Sequence, residues 1–170
     1  SLQLFLFYNL LSKEKIFELI SEIPDPEIPV ITIAELGVIR DVIIDNENVE
    51  IKITPTYSGC PAMQQMEDDI KTVLKQNGIS NLKVTTVYSP AWTTDWIPEE
   101  AKEKLRKYGI APPEKTTEDK SWLTGKSKII LCPRCKSKNT KLISQFGSTA
   151  CKAIYQCQDC LEPFDYFKCI

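Results

Sequence analysis

The chain contains no histidine among its 170 residues. This absence excludes Ser-His and Cys-His catalysis, histidine-ligated zinc and any acid–base step that uses an imidazole. Chemistry in this chain therefore has to use thiols, carboxylates, lysines or a partner molecule. The sequence also has no run of 18 apolar residues, so it predicts neither a membrane-spanning helix nor a membrane partner.

The seven cysteines indicate metal binding rather than a disulfide scaffold. They are too sparse for a secreted disulfide-rich domain, and the opening residues lack the basic flank and small-residue cleavage site of a signal peptide. We therefore expect a cytoplasmic protein with reduced thiols. The short apolar run over residues 2–8 is compatible with a docking strand, an interface segment or a cloning remnant.

Charge is unevenly distributed along the chain. Residues 1–125 carry 13 basic and 20 acidic side chains, net −7, whereas residues 126–170 carry 8 and 3, net +5. Four thiolates around a divalent ion would reduce the net charge of this tail to about +3. So modest a charge beside an acidic body argues against nucleic-acid binding.

Two Cys-x-x-Cys units in the tail carry the strongest chemical signal. Cys132 and Cys135 form the first unit, Cys157 and Cys160 form the second, and 21 residues separate the two. Two such loops at the tips of adjacent hairpins supply a closed tetrahedral shell of thiolates for one metal ion. A segment of this size buries too little apolar area to fold alone, so we expect the metal to stabilise it.

The residues leave the identity of that metal open between two choices. A structural zinc ion is the prediction we adopt, because four thiolates are a common zinc ligand set. An iron–sulfur cluster is the alternative, since Cys151 and Cys169 lie nearby as candidate additional thiol ligands.

A separate cysteine, Cys60, precedes a predicted helix over residues 62–76. It lies in a turn in which Gly59 gives the backbone conformational freedom. Free amides and a partial positive charge at a helix N-terminus favour thiolate over thiol, so the pKa of Cys60 is expected to fall and its reactivity to rise. An inert buried cysteine is the competing interpretation, and the residues do not decide between them.

A proline-rich loop over residues 24–29 carries two carboxylates, Asp25 and Glu27. The prolines force an extended, non-helical backbone. If this loop lies near Cys60, its carboxylates would raise the pKa of the thiol or act as supporting ligands to an incoming metal.

The remaining periodicities predict alternating helices and strands. They indicate a helix that starts at Ser12, and a hairpin over residues 38–44 and 49–54. A third strand over residues 82–88 and a short third helix over 98–107 follow. Three short strands are predicted in the tail, over residues 141–145, 153–156 and 164–167.

Three features together resemble a known family. The Asp-Pro-Glu-Ile-Pro loop over residues 25–29, the hairpin, and the Gly-Cys-Pro turn around Cys60 are similar to the small α+β domain of SufT-like iron–sulfur assembly factors. The tail, with Phe-Gly-Ser-Thr-Ala-Cys-Lys over residues 146–152 and Glu-Pro-Phe-Asp-Tyr-Phe-Lys-Cys over 162–169, resembles the PaaD-type components of phenylacetyl-CoA epoxidase.

The resemblance implies a non-catalytic accessory protein of aerobic phenylacetate breakdown. It would assist assembly of iron–sulfur or di-iron centres in its partners, the oxygenase and reductase subunits of the epoxidase. Cys60 would be the reactive or cluster-transfer thiol and would hold iron or an iron–sulfur cluster transiently. Cys151 and Cys169 would be added ligands or redox thiols.

The predicted fold class is α+β. It consists of a small mixed three-stranded sheet with helices, of the SufT-like type, followed by a small zinc-ribbon-like β domain. We predict an assembly domain over residues 12–110, a linker over 111–128 and a four-cysteine ribbon over 129–170. The exposed edges of so small a sheet are compatible with a homodimer.

Two other classes of function compete with this prediction. A thiol–disulfide redox protein would use Cys60, or Cys151 with Cys169. A nucleic-acid-binding zinc ribbon is disfavoured by the charge distribution described above.

Overall fold

The computed structural model describes residues 12–113 and 129–168. The chain forms two compact units that divide between Trp92 and Thr93. The apolar opening segment, most of the predicted linker, and Cys169 lie outside the described residues. Among the helices of the described ranges, none combines the length and the apolar character that a bilayer crossing requires.

The described part of the first unit contains two helices and three strands. Helix α1 begins after Ser12, whose side chain accepts a hydrogen bond from the amide of Lys15, as expected for an N-cap. The elements in chain order are α1 (Lys13–Ser21), β1 (Ile39–Asp45), β2 (Asn48–Ile53), α2 (Ala62–Gln76) and β3 (Leu82–Thr86).

The sheet of the first unit is mixed and has the strand order β1-β2-β3. Strand β2 pairs antiparallel with β1 and parallel with β3. Alternate residues of β2 are buried, namely Val49, Ile51 and Ile53. Apolar residues of both helices complete the core: Ile16, Ile20, Met66, Ile70 and Leu74. The predicted small mixed three-stranded sheet with helices is therefore confirmed.

The second unit contains a 3-10 turn, one helix and four strands within its described residues. The strand order is β4-β7-β6-β5, and only β4 and β7 run parallel. The elements are the 3-10 turn (Thr94–Trp96), α3 (Glu99–Tyr108), β4 (Ile110–Ala111), β5 (Thr140–Ser144), β6 (Lys152–Cys157) and β7 (Pro163–Phe167).

The unit boundary differs from the predicted end of the first domain at residue 110. Strand β4 pairs with β7, with Ile110 opposite Asp165 and Ala111 opposite Tyr166. Ala111 is 2% exposed within the core of the ribbon. The small ribbon sheet thus gains an edge strand and apolar cover from Ile110, predicted as the end of the assembly domain, and Ala111, predicted as the start of the linker.

An aromatic layer fills the core of the ribbon. The ring of Tyr155 stacks on Phe164 with centroids 6.0 Å apart and meets Tyr166 edge-on at 5.8 Å. Cys132 and Cys157 are fully buried against this layer. One cysteine of each Cys-x-x-Cys unit is therefore part of the ribbon core.

Candidate metal centre and thiol site

The structure brings the four predicted ligands of the tail together. The Sγ atoms of Cys132, Cys135, Cys157 and Cys160 all lie within 4.8 Å of one another. Across the two loops, Cys132 and Cys160 are 3.8 Å apart and Cys135 and Cys157 are 3.5 Å apart, sulfur to sulfur. Four thiol sulfurs converging on one point form a site that binds metal.

The first loop owes its shape to backbone hydrogen bonds. The amide of Cys132 donates to the carbonyl of Ser137 at 2.9 Å, and the amide of Lys136 donates to the carbonyl of Cys132 at 2.9 Å. Lys136 has a left-handed backbone with φ of 64°. This conformation turns the chain so that the Ser137 amide donates to the Cys135 sulfur.

The second loop repeats this geometry. The amide of Cys157 donates to the carbonyl of Glu162 at 3.0 Å, and Leu161 has φ of 63°. The amide of Glu162 then donates to the Cys160 sulfur. The two Cys-x-x-Cys segments therefore form loops of the same conformation. In each loop, the residue directly after the second cysteine has a left-handed backbone.

Backbone amides also set the ionisation of the cysteines. Amides of Cys160 and Asp159 donate to the Cys157 sulfur and lower its pKa to about 7. The pKa of Cys135 is lowered by the Ser137 amide, but its neighbouring thiols, chiefly Cys157, and burial raise it to about 12. Four adjacent sulfurs cannot all ionise without a cation, and a divalent ion removes that obstacle.

Polar side chains tie the two loops together. The carboxylate of Asp159 accepts hydrogen bonds from the hydroxyl of Ser137 and from Asn139 Nδ2, the latter at 2.7 Å. These bonds lower the pKa of Asp159. On the other side, Arg134 Nη1 lies 2.5 Å from Glu162 Oε2. Sequence patterns do not identify these five polar residues, since only the folded structure pairs positions 20 or more apart.

Cys60 is the only cysteine in residues 1–125 and lies at the start of α2, as predicted. Pro61 is the N-cap residue and makes no side-chain capping bond. Cys60 is 9% exposed, while its neighbours Ser58 and Gly59 are exposed. Gly59 has φ of +79°, and a Cβ there would meet no atom within 4 Å. The turn that precedes Cys60 is therefore open to solvent at Gly59.

The expectation that the helix N-terminus lowers the pKa of Cys60 is wrong. Burial raises the pKa of this thiol above its ordinary value, and the negative charge of Glu27 raises it further. The amide of Ala62 and the side chains of Tyr57 and Thr56 donate to the sulfur and only partly offset these effects. Desolvation outweighs the helix terminus because the sulfur is nearly enclosed, and Cys60 is a protonated thiol at neutral pH.

The proline-rich loop contributes one carboxylate to the thiol site and uses the other for its own structure. Asp25 is 3% exposed, and its Oδ1 accepts hydrogen bonds from the amides of Glu27 at 2.9 Å and Ile28 at 2.6 Å. Glu27 is the carboxylate whose charge acts on Cys60. The charge of Glu27 therefore acts on Cys60, while Asp25 braces the turn that carries Glu27.

Cys151 stands apart from the four-cysteine cluster. Its sulfur is buried and lies 3.1 Å from the hydroxyl of Thr149. Burial lowers the pKa of Lys168, and the neighbouring Cys151 partly opposes this shift. The predicted pairing of Cys151 with Cys169 falls on a residue outside the described ranges.

Comparisons with known proteins match both units. The iron–sulfur cluster assembly protein family matches residues 13–89, and the PaaD zinc beta ribbon domain matches residues 116–168. A protein of Escherichia coli strain K12, named as a component of 1,2-phenylacetyl-CoA epoxidase, is 50% identical over 156 residues, covering 92% of each chain.

Two further relatives match the first unit. SufT, named as an iron–sulfur protein maturation auxiliary factor of Staphylococcus aureus strain USA300, is 40% identical over 83 residues, 48% of this chain and 93% of its own length. A crystal structure of a DUF59 domain of unknown function from Bacillus anthracis is 32% identical with a TM-score of 0.51, covering 55% of this chain and 90% of that chain.

Proposed function

Since this chain belongs to the PaaD family of phenylacetyl-CoA epoxidase components, we propose that it is a non-catalytic maturation factor for metal centres of that system. It captures iron, or a nascent iron–sulfur cluster, on Cys60 and hands it to an oxygenase or reductase subunit. One observation carries the proposal: the single cysteine of the first unit stands at the start of α2, within the field of the Glu27 carboxylate.

The raised pKa of Cys60 suits capture of a metal. A protonated thiol resists alkylation and oxidation while it is empty, because the thiolate is the reactive form. When ferrous iron arrives, the S–H bond breaks, the proton leaves to solvent, and the sulfur electron pair forms the bond to iron. No electron transfer is needed, so the step requires no oxidant or reductant.

Glu27 supplies the second ligand of the proposed capture site. Its carboxylate is a hard ligand that suits iron, whereas the thiolate of Cys60 is a soft one. Two protein ligands leave most of the coordination sphere open to a partner. The arrangement holds the cargo weakly enough for release, and the proton taken up by Cys60 on release favours the empty state.

In the second unit we propose a single structural zinc ion. Sulfurs bound at about 2.3 Å to one tetrahedral ion lie about 3.8 Å apart. The cross-loop separations of 3.8 Å and 3.5 Å fit that geometry. A [4Fe–4S] cluster binds one thiolate on each iron, and a [2Fe–2S] cluster binds two on each iron. In both, thiolates on different irons are farther apart than the limit of 4.8 Å within which all four sulfurs lie here, so these separations favour one ion.

The function is tested by the iron and sulfide content of the reductase subunit produced together with this chain. Cys60→Ser should lower the cluster content of the reductase, with the zinc content of the variant unchanged. Cys151→Ser is the matched control, as a buried cysteine outside both sites, and should leave the reductase fully loaded. A fully loaded reductase beside the Cys60→Ser variant would refute the capture role. Loss with Cys151→Ser alone would favour the thiol–disulfide alternative.

A further inference from the structure

A cavity of about 390 Å³ opens in the second unit between helix α3 and the first cysteine loop. Its helical wall is a single stripe of α3, formed by Glu99, Lys102 and Arg106, which lie three and four residues apart. The facing wall includes Lys136 from the cysteine loop. The cavity is therefore walled by three cations and one anion, a net charge of +2 from its side chains.

Lys102 is the most enclosed of these cations. Its side chain is 11% exposed, and the carboxylate of Glu99 lies 4.0 Å from its ammonium group. A separation of 4.0 Å is the outer limit of an ion pair and too long for a hydrogen bond. Within residues 12–113 and 129–168, Lys102 thus has one distant counter-charge and keeps its three donors available.

Arg106 lies one turn farther along the same stripe. Its bonds to Glu99 at 2.8 Å and to Glu103 at 3.0 Å both use Nη1. A guanidinium has five N–H donors on three nitrogens in a planar fork. The two glutamates therefore hold the side chain of Arg106 in place through one nitrogen, and the other donors of the fork can serve a ligand.

Lys136 is held in position by its own loop. Its backbone is the left-handed residue of the first cysteine loop, and its ammonium donates to the carbonyl of Pro133 at 3.1 Å. The pKa of Glu103 is lowered mainly by the hydrogen bond from Arg106, and the charge of Lys136 contributes as well. The charge of Lys136 thus acts on α3, across the cavity.

Apart from Cys132, the rest of the lining is apolar. Pro112, Pro113 and Leu131 form part of the wall, and Leu131 is 44% exposed. A volume of 390 Å³ falls in the range of small-molecule sites and exceeds what a lone inorganic anion fills. The cavity therefore suits a ligand with an anionic group and a small organic body.

We propose that this cavity binds the phosphate group of a small organic molecule, with Lys102, Arg106 and Lys136 as the anion-binding residues. A planar fork together with two ammonium groups matches the oxygens of a phosphate, which accept several charge-assisted hydrogen bonds at once. The apolar wall receives the organic body. This inference is independent of the capture role of Cys60, which lies in the other unit.

The rival explanation is that the three cations only offset the charge of the metal centre. Cys132 lines the same cavity, and four thiolates around a divalent ion carry a net charge of −2. In that case the cations would be satisfied without a ligand. The two explanations differ in whether a phosphate compound binds saturably at this place.

The test is a titration of the zinc-loaded full chain, followed by amide NMR shifts at constant ionic strength. The probes are inorganic phosphate, phenyl phosphate and benzoate. We expect saturable shifts centred on the amides of Lys102, Arg106 and Lys136, with phenyl phosphate binding more tightly than phosphate. Tighter binding of benzoate than of phenyl phosphate would overturn the assignment of a phosphate ligand.

Lys102→Met keeps the length of the stem and removes the charge. This variant should weaken phenyl phosphate binding about tenfold or more, the cost of one charged hydrogen bond. Lys141→Met, at an exposed lysine of β5 outside the cavity, is the control and should bind like the parent. Unsaturable shifts, or equal binding by both variants at normal zinc content, would overturn the proposal.

Discussion

Asp25 accepts a hydrogen bond through its Oδ1 from the amide of Glu27 at 2.9 Å, and this bond braces the loop whose Glu27 charge acts on Cys60. A second bond to the same oxygen comes from the amide of Ile28 at 2.6 Å. The two carboxylates of one proline-rich loop therefore have different tasks. Asp25 fixes the backbone, and Glu27 acts on the thiol.

Replacement of Asp25 tests the first of these tasks. Asp25→Ala removes a buried acceptor of two charge-assisted hydrogen bonds, so the free energy of unfolding should fall by about 3 kcal/mol. Asp25→Asn keeps one acceptor oxygen and should cost about 1 kcal/mol. Urea denaturation of the first unit, followed by amide NMR signals, measures both. A loss from Asp25→Ala no greater than that from Asp25→Asn would contradict the bracing role.

Replacement of Glu27 tests the second task. The pKa of Cys60 is raised chiefly by burial and additionally by the Glu27 charge. Glu27→Gln removes that charge, so the pKa of Cys60 should move down toward its ordinary value. The rate of alkylation by iodoacetamide against pH gives the pKa directly.

In the parent chain, alkylation of Cys60 should be slow at pH 7, and the midpoint of its pH profile should lie above the ordinary pKa of 9.0. The control for the Glu27 variant is Glu22→Gln, which removes an exposed carboxylate near the end of α1 and should leave the profile unchanged. A Cys60 profile that does not move in Glu27→Gln, or that moves to higher pH, would rule out the electrostatic role of Glu27.

Metal removal should affect the two units differently. Because the ribbon core is small and two of its buried members, Cys132 and Cys157, are proposed ligands, we expect chelation to unfold the second unit. The first unit has its own core and should keep its signals. Amide NMR of the full chain before and after treatment with a strong chelator, with metal analysis, provides the measurement. Persistence of the ribbon signals in metal-free protein would contradict this expectation.

The bonds between the two cysteine loops should differ in their effect on metal retention. Asp159 bridges the loops with two hydrogen bonds from Ser137 and Asn139, so Asp159→Ala should speed metal loss about tenfold or more. The ion pair of Arg134 with Glu162 is exposed, so Arg134→Ala should have an effect of less than about 1 kcal/mol. Transfer of the metal to a coloured chelator gives both rates. Equal rates for the two variants would refute the bridging role of Asp159.

Local patterns predicted most of the fold because they are short-range. The helix over residues 62–76 was predicted with the bounds that the structure has, since its apolar spacing and its flanking Pro61 and Asn77 are all local. The alternation of β2 likewise follows from side chains that point to opposite faces. Residues 93–111 belong to the second compact unit, and this grouping depends on a distant partner, because β4 pairs with β7.

The candidate sites show the same contrast between features set by local sequence and features set by distant contacts. The four ligands of the tail follow from spacing alone, because a Cys-x-x-Cys turn brings two sulfurs to one side whatever surrounds it. The pKa of Cys60 does not follow from spacing. The helix N-terminus is visible in the sequence, whereas burial of the sulfur and the approach of Glu27 arise from contacts between distant parts of the chain.

The sequence by itself determined the element order, the four-cysteine centre and the place of the lone thiol at a helix start. These features depend on residue type and on separations of a few positions. Tertiary structure alone decided that Cys60 is protonated, that Asp25 is a brace, and that α3 and β4 pack with the ribbon. Each of these depends on how far a group is removed from water and on which remote residue lies beside it, and no local pattern encodes either quantity.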